Sequence, residues 1–548
     1  MSFLEDIFAQ LQAAKEMPLL QRRGDRSTVR VTGKELLQLV GKARTFLAAQ
    51  GLKKGDRCVL LAGNSIRWVA MDLAMMAEGL IVVPLYARQA PGELVAMMKD
   101  CSPALLCCGE PELAQAIAQN WPEAPPRHIF EEIFETRSAV ITKPPLAETD
   151  PVTIIYTSGT SGEAKGVVLT AGNVGYMLGC TSGRLSVLMG KHEAQDRVFH
   201  YLPFCFAGSW IMLLTCLLRR SRLILNTDLN KLAGEMRSSE ADYFLNVPAL
   251  LERMRRAVDE QLWQTGGLPR TIYSRAKGAW MRRQEKKSQW GDRFWLTLAR
   301  TIIFPAIRKK MIGPKLKALI CGSAPLNMET QLYFMMLGIP VLQVYGLTET
   351  TAICTMDDPG HVEPGRVGPA IAGLEMKLAE NGEIVVRGPN IFAGYWNRPQ
   401  ETAKVLREGW FHTGDQGEAD GAGSWRIIGR IKNLIILGSG HNVAPEPIED
   451  KVLERLPGAQ QVMVVGNGRG YLSALITGDV KEERAQEAMQ AVNAGLPHYK
   501  QIRAFYISPE AFSIENGLLT ANGKLKRDAI AARFKAEIDE IYLMQQAV

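Results

Sequence analysis

The stretch TIIYTSGTSGEAKGVVLT, residues 153–170, decides how the rest of the chain is read. A β-branched apolar run enters a loop made of Thr157, Ser158, Gly159, Thr160, Ser161 and Gly162. Lys165 and Gly166 follow, then a second apolar run. Glycines let successive backbone N–H groups converge on one anion, because no Cβ obstructs the approach. The hydroxyls and Lys165 add donors, so the loop suits a triphosphate. The GxxxxGK[ST] spacing of the Walker loop is absent, and a strand rather than a helix comes next. The competing reading is an ordinary Gly/Ser/Thr surface loop. The density of glycines, hydroxyls and a lysine in ten residues argues against it.

Working outward, short apolar runs recur on both sides, separated by helix-length segments. They include Cys58–Gly63, Ile81–Tyr86, Ala104–Gly109, Arg222–Asn226, Tyr243–Pro248, Ala318–Ser323 and Pro340–Gly346. Such alternation predicts α/β layers with largely buried strands. At the start, Ser2 followed by Glu5 is a candidate capping box, with Phe3, Leu4, Ile7, Phe8 and Leu11 on one helical face. Residues 380–440 carry the turn dipeptides Asn381-Gly382 and Asp420-Gly421, which predict a β-rich part. Beyond Lys432 a smaller unit follows, with a helix at Pro447–Leu456, strands at Gln461–Val465 and Leu472–Thr477, and a basic tail. The expected fold is a large N-terminal domain, 1–431, of layered α/β subdomains with a β-rich part. A small mobile α+β domain, 432–548, completes it.

The chain has 548 residues, enough for several domain-sized units. Hydrophobic residues make up 47% and charged residues 22%, which excludes a disordered or fibrous chain. A net charge of +7 is too small to imply nucleic acid. Nine cysteines without a CxxC pair favour a reducing compartment and argue against a structural zinc site. The start MSFLEDIF has no positive n-region, and the end QQAV is no lipidation or peroxisomal signal, so a cytoplasmic location is expected. The apolar stretch Trp68–Ala87 contains Asp72, Glu78 and Pro84, so it reads as a buried helix–strand pair rather than a membrane span.

Three further motifs follow the first. In VYGLTETTA, residues 344–352, Tyr345 ends an apolar strand and its ring can lie on a base. Gly346 is taken as ATP-binding with Tyr345, Thr348 offers a hydroxyl and Glu349 a hard oxygen ligand for Mg²⁺. In GWFHTGD, residues 409–415, Asp415 can accept from two vicinal ribose hydroxyls, with Arg430 in reach to reinforce it. In LTANGKLKRDAI, residues 519–530, Gly523 presents Lys524 beside Lys526 and Arg527. Taken alone, that last run reads as a solvated basic tail.

In this order the motifs closely resemble the adenylate-forming superfamily of acyl-CoA synthetases, adenylation domains and luciferases. Gly55-Asp56-Arg57 with Asn64 and Trp68 resembles its early GDR…N…W pattern, and RGPNIFAGYWNRPQET, residues 387–402, resembles its RGP…GY…P…T segment. FSIENGLLTANGKLKR, residues 512–527, is similar to the ending of long-chain acyl-CoA synthetases. NVPALLERM, residues 246–254, before ICGSAPL, residues 320–326, also looks like that branch. The resemblance implies ATP-dependent activation of a fatty acid to acyl-AMP, then transfer to coenzyme A, with Mg²⁺ as cofactor. It implies that loop 157–166 holds the β- and γ-phosphates, and that Gly322, Ser323, Ala324 and Tyr345 surround the adenine. Thr348 touches the α-phosphate and Glu349 holds Mg²⁺. Asp415 and Arg430 grip the ribose, and Lys524 completes adenylation. Lys432 matches the hinge position, and Gly440 lies in the loop expected to line the pantetheine tunnel after rotation.

The chain departs from the pattern in places. Phe206, in LPFCFAG, stands where the family usually has His at the acyl channel; Ala171 replaces another His, Asn433 an Asp or Glu, and Asn522 a Thr. Two alternatives share the chemistry: an acyl-AMP ligase that loads an acyl carrier protein, and a CoA ligase for another carboxylic acid. A third is a non-catalytic lipid- or nucleotide-binding module. Finally, residues 270–317 hold fourteen Lys or Arg and two acids, a net +12 that leaves −5 elsewhere, interleaved with Trp280, Trp290 and Trp295. Basic residues with Trp at helical spacing suit an interfacial helix, hence a peripheral contact with the inner membrane face. The alternative is a solvated basic helix whose Trp residues pack inward.

Overall fold

The computed structural model describes residues 2–23, 27–138, 146–158, 164–190, 194–520 and 523–544. The capping box at the N-terminus is present: Ser2 and Glu5 exchange side-chain and backbone bonds, and helix Phe3–Ala13 buries Phe3, Leu4, Ile7 and Leu11. All the apolar runs quoted above are strands, trimmed by one or two residues where polar turns begin. The stretch Trp68–Ala87 falls on helix Ile66–Ala77 and strand Ile81–Leu85.

The strands form two large mixed sheets. In one, Tyr243–Asn246, Ala318–Cys321 and Val341–Tyr345 run side by side in parallel, so their C-terminal ends open on the same edge. In the other, Ile81–Leu85 pairs in parallel with Pro151–Ser158, which turns back antiparallel onto Ala164–Thr170. Each buried strand is sandwiched by helices, as its unbroken apolar sequence requires. Helix Ala207–Leu218 is apolar almost all round because it lies inside the main core.

The β-rich part forms a third sheet around the long strand Trp410–Ala419. Its two predicted turns join antiparallel partners: Glu375–Leu378 with Glu383–Arg387 through Asn381-Gly382, and Trp410–Ala419 with Trp425–Arg430 through Asp420-Gly421. Gly382 has φ 76°, the left-handed conformation that such a turn demands.

The chain then passes through a 3₁₀ turn at Ile431–Asn433. Beyond it, Ala459–Val465, Leu472–Gly478 and Ile502–Ser508 form a separate three-stranded sheet. Its two apolar clusters draw only on residues between 435 and 541, so they share no core residue with the sheets before them. No helix among the described residues is long and apolar enough to cross a membrane.

Candidate active site

A cavity of about 2780 Å³ lies where the parallel strand ends, the β-rich sheet and the C-terminal unit meet. Its floor follows from strand geometry. Ala318–Cys321 and Val341–Tyr345 are adjacent, so the segments after them, Gly322–Ala324 and Gly346–Glu349, face the same space. Two glycines permit this approach. A Cβ on Gly322 would sit 2.6 Å from Val344 Cγ2, and one on Gly346 2.3 Å from the Ala352 carbonyl oxygen. Ser323 adopts φ 74°, a strained value for a residue with a side chain, at the point where the backbone turns along the cavity.

Asp415 is buried and sits directly opposite Arg430 in the antiparallel pair. Arg430 Nε donates to Asp415 Oδ1 at 2.8 Å. The Tyr345 hydroxyl, at the end of its strand, donates to Asp415 Oδ2 at 2.9 Å. The carboxylate is therefore oriented on both oxygens and keeps lone pairs for hydroxyl donors. Glu349 is buried in the short 3₁₀ turn Thr348–Thr350, and its Oε1 accepts from the Tyr395 hydroxyl at 2.8 Å. Thr348 lines the cavity beside it.

Lys524 enters the same space from the C-terminal unit. The turn that presents it is closed by Thr520 N–H to Lys524 O at 2.8 Å and by Lys524 N–H to Thr520 Oγ1 at 3.1 Å. Gly523 takes φ 73° within it. Enclosure by protein, and then the Arg430 guanidinium, lower the Lys524 pKa below the ordinary lysine value; Asp415 and Glu349 pull the other way. Lys432 also lines the cleft, and burial followed by Arg430 brings its pKa down to about 8. The run 519–530 is thus no solvated tail: Lys526 Nζ lies 3.3 Å from Glu93, and Arg527 pairs with Glu449 at 2.5 Å. Read alone, the run lacks the carboxylates it folds against.

At the other wall Lys165 forms a 2.6 Å ion pair with Glu401, and Lys404 shares that carboxylate at 2.5 Å. The two lysines hold the Glu401 carboxyl down at about 2. Thr157 lines the cavity next to Lys165. Gly159, Thr160, Ser161 and Gly162 lie outside the described residues, as does Asn522, and Ser158 closes its strand. Tyr395 and Glu401 were not singled out by sequence reading, although both fall in the quoted stretch 387–402. Their partners are 46 and 236 residues away, and no local spacing reports such a contact.

Phe206 caps helix Ala207–Leu218, its ring 5.7 Å from that of Tyr86. The lining also includes the apolar side chains Ile211, Met212, Leu245, Ile320, Val344 and Met356. Gly440 is not brought in. It sits at φ 82° in the exposed loop between Ile435–Ile436 and Asn442–Val443, outside the cavity lining.

The residues present fit Mg²⁺ bound together with a nucleotide. Glu349 is a buried carboxylate facing the cavity, and no cluster of three or more metal-ligating side chains occurs among the described residues. Mg²⁺ characteristically takes one or two carboxylates and completes its shell with phosphates and water.

Comparisons with known proteins agree with this arrangement. The AMP-binding enzyme family matches residues 8–396, and its C-terminal domain matches residues 432–546. A long-chain-fatty-acid–CoA ligase of Mycobacterium bovis is 25% identical over 96% of this chain and 94% of its own length. Among solved structures, ATP-bound MatB from Rhodopseudomonas palustris shares the fold at a TM-score of 0.74, with 23% identity over 98% of this chain and 99% of that one. O-succinylbenzoate coenzyme A synthetase from Bacillus subtilis, in complex with ATP and magnesium ion, shares it at 0.74, with 21% identity over 96% and 98%.

Proposed function

The chain belongs to the AMP-binding enzyme family, and on that premise we propose that it is an AMP-forming acid–thiol ligase that converts a fatty acid to its acyl-CoA. The observation that carries this reading is the meeting of Lys524, from the C-terminal unit, with Glu349 and the Asp415–Arg430 pair in one cleft. The apolar side chains in the cavity lining and the curated relative's name support a fatty acyl chain as the substrate.

A carboxylate does not react with a thiol directly, because oxide is a very poor leaving group. In the first half-reaction a carboxylate oxygen of the acid bonds to the α-phosphorus of ATP, and the bond to pyrophosphate breaks. Two anions must meet, so the protein's task is positioning and charge neutralisation. Lys524 supplies a cation where the carboxylate meets the α-phosphate, and Thr348 donates a hydrogen bond there. Asp415, oriented by Tyr345 and Arg430, accepts from the ribose hydroxyls. Gly322, Ser323, Ala324 and Tyr345 flank the adenine, with Gly346 opening the turn beneath it. Loop 157–166 with Lys165 holds the β- and γ-phosphates. Glu349 would hold Mg²⁺, which when bound neutralises phosphate charge.

In the second half-reaction the coenzyme A thiol gives up its proton to solvent, its sulfur bonds to the acyl carbon, and the acyl C–O bond to AMP breaks. A different surface must then face the same carbon. We place the domain division at Lys432, with 1–431 holding ATP and the acyl chain and 432–548 moving about that hinge. Lys524 inside the cleft and Gly440 outside it correspond to the adenylating arrangement, and rotation exchanges them. Phe206, packed near Tyr86, gates the acyl channel by ring rotation rather than by hydrogen bonding. A cytoplasmic location, with peripheral contact at the inner membrane face, belongs to the same proposal.

A carboxylate panel assayed by pyrophosphate release, with and without coenzyme A, tests the reading. Long-chain acids should give pyrophosphate, and coenzyme A should convert a single turnover into many. Acylation of a carrier protein but not of coenzyme A would replace the acceptor. ATP binding without pyrophosphate from any acid would remove the enzymatic reading altogether.

A further inference from the structure

Within residues 263–302 the chain exposes an unusual set of side chains. Among the described residues every exposed Trp or Phe lies here: Trp263, Trp290 and Phe294, joined by the exposed Leu268 and Ile302. Trp290 is fully exposed, at 102%. The segment is not one interfacial helix but several: Gly267–Gln284, Asp292–Leu298 and Phe304–Met311. Their inner faces are already satisfied, with Tyr273, Ala276, Ala279, Leu296 and Phe304 in the second core cluster and Trp280 packed against it. The exposed aromatics are therefore surplus to folding. Of the three tryptophans singled out by sequence, only Trp290 stands free; Trp295 lies against Phe294 and beneath Arg275.

The structure also sorts the charges. Arg282 pairs with Asp292, which accepts from Gln289 N–H at 2.8 Å. This clasp closes the loop between the two helices, in which Trp290 stands exposed. Lys277 is neutralised by Asp259 and Glu329, Lys287 by Glu285, and Lys315 by Glu240. Arg283, Lys286 and Arg293, around the same loop, are exposed and meet no carboxylate among the described residues. The first helix ends with Lys287 N–H bonded to Arg282 O at 2.8 Å and Lys286 N–H to Arg283 O at 3.2 Å. Lys286 takes φ 58° at this Schellman end, a position where glycine is the physically preferred residue. A cation occupies it instead, beside a free tryptophan.

We propose that this helical hairpin docks the protein on an anionic lipid surface. Trp290 and Phe294 enter the interfacial layer, and Arg283, Lys286 and Arg293 meet headgroup phosphates. Charge complementarity selects the partner: residues 270–317 carry +12 in a chain whose remainder is −5. Unpaired cations around exposed aromatic rings match a surface that is anionic above and apolar just below. The inference rests on the fatty-acid reading only for its use, since a long-chain acid partitions into membranes.

The test measures binding of the full-length protein to vesicles of phosphatidylcholine with and without phosphatidylglycerol, in the absence of substrates, so it is independent of the ligase reading. Wild-type protein should bind the anionic vesicles, more weakly as salt rises, with a blue shift of tryptophan emission. Arg283→Gln, Lys286→Gly and Arg293→Gln together should weaken binding at least tenfold and flatten the salt dependence. Lys286→Gly relieves backbone strain and Arg282 is left untouched, so the fold and its clasp are retained. Trp290→Ala with Phe294→Ala should also weaken binding and abolish the blue shift. A charge-matched triple elsewhere, Lys34→Gln, Lys53→Gln and Lys481→Gln, should leave binding within twofold of wild type. Equal effects of the two triples, equal binding to neutral vesicles, or binding only to nucleic acid or an acidic carrier protein would overturn the proposal.

Discussion

Lys165 and Glu401 are 236 residues apart in sequence and 2.6 Å apart in the structure. A cation expected to meet ATP phosphates is thus already paired, and Lys404 shares the same carboxylate. The Glu401 pKa of about 2 means that this pairing persists throughout the neutral and mildly acidic range. On the proposed function, polyphosphate and Glu401 compete for one ammonium group. Glu401→Gln should lower the KM for ATP by up to about fivefold, the scale of a partly exposed ion pair. Initial rates of pyrophosphate release against ATP concentration measure this. A raised KM would show instead that Glu401 positions Lys165.

Lys524 is a cation whose pKa burial and Arg430 lower. Adenylation should need its charged form, so the rate of that half-reaction should fall as pH rises through a value below the ordinary lysine pKa of about 10.4. Thioester formation from supplied acyl adenylate should show no such limb. Lys524→Ala should cut adenylation by the roughly 2.7–4 kcal/mol typical of a lost transition-state donor, or more, and spare the second step. Lys524→Arg should shift the alkaline limb upward. Equal loss in both half-reactions would refute the assignment.

Lys432 sits in the 3₁₀ turn Ile431–Asn433, where we place the start of the C-terminal unit. A hinge residue must change φ and ψ, and proline fixes φ near −65°. Lys432→Pro should therefore hold one orientation and reduce one half-reaction far more than the other when the two are measured separately. Wild-type rates in both would remove the need for rotation.

Asp72 lies in the buried helix Ile66–Ala77, with Oδ2 accepting from Trp210 Nε1 at 2.9 Å. Desolvation raises its pKa to about 7. In the unfolded chain the group titrates near 3.9. The folded state therefore binds the extra proton between these values. The stabilisation is complete below about pH 4 and is lost as pH rises through about 7. Asp72→Asn keeps an acceptor for Trp210 and removes the titration. Thermal melts from pH 4 to 8 should show a flatter stability profile for the variant, with the gain over wild type growing toward pH 8. Parallel profiles would place the proton elsewhere.

Local features were legible because their causes are local. The capping box of Ser2 and Glu5 spans three residues, and the turns at Asn381-Gly382 and Asp420-Gly421 need only their own backbone preferences. The apolar runs could be read as strands because a strand buried on both faces has no polar side to show. Asp415 and Arg430 stand out as motif residues, but their opposition is a matter of strand register. The same limit applies to the basic run at 519–530, whose carboxylate partners Glu93 and Glu449 come from distant elements.

By itself the sequence determined the layered α/β class, the order of the motifs and the chemical groups they carry. Those depend on side-chain periodicity and on short spacings along the chain. Only the tertiary structure decided that Tyr345 and Arg430 orient Asp415, that Tyr395 holds Glu349, and that Glu401 holds Lys165. It also decided that Trp280 packs on the core while Trp290 stands in solvent. The two tryptophans lie in similarly basic surroundings in sequence. What separates them is whether another element covers the ring, and burial is a property of the packed chain.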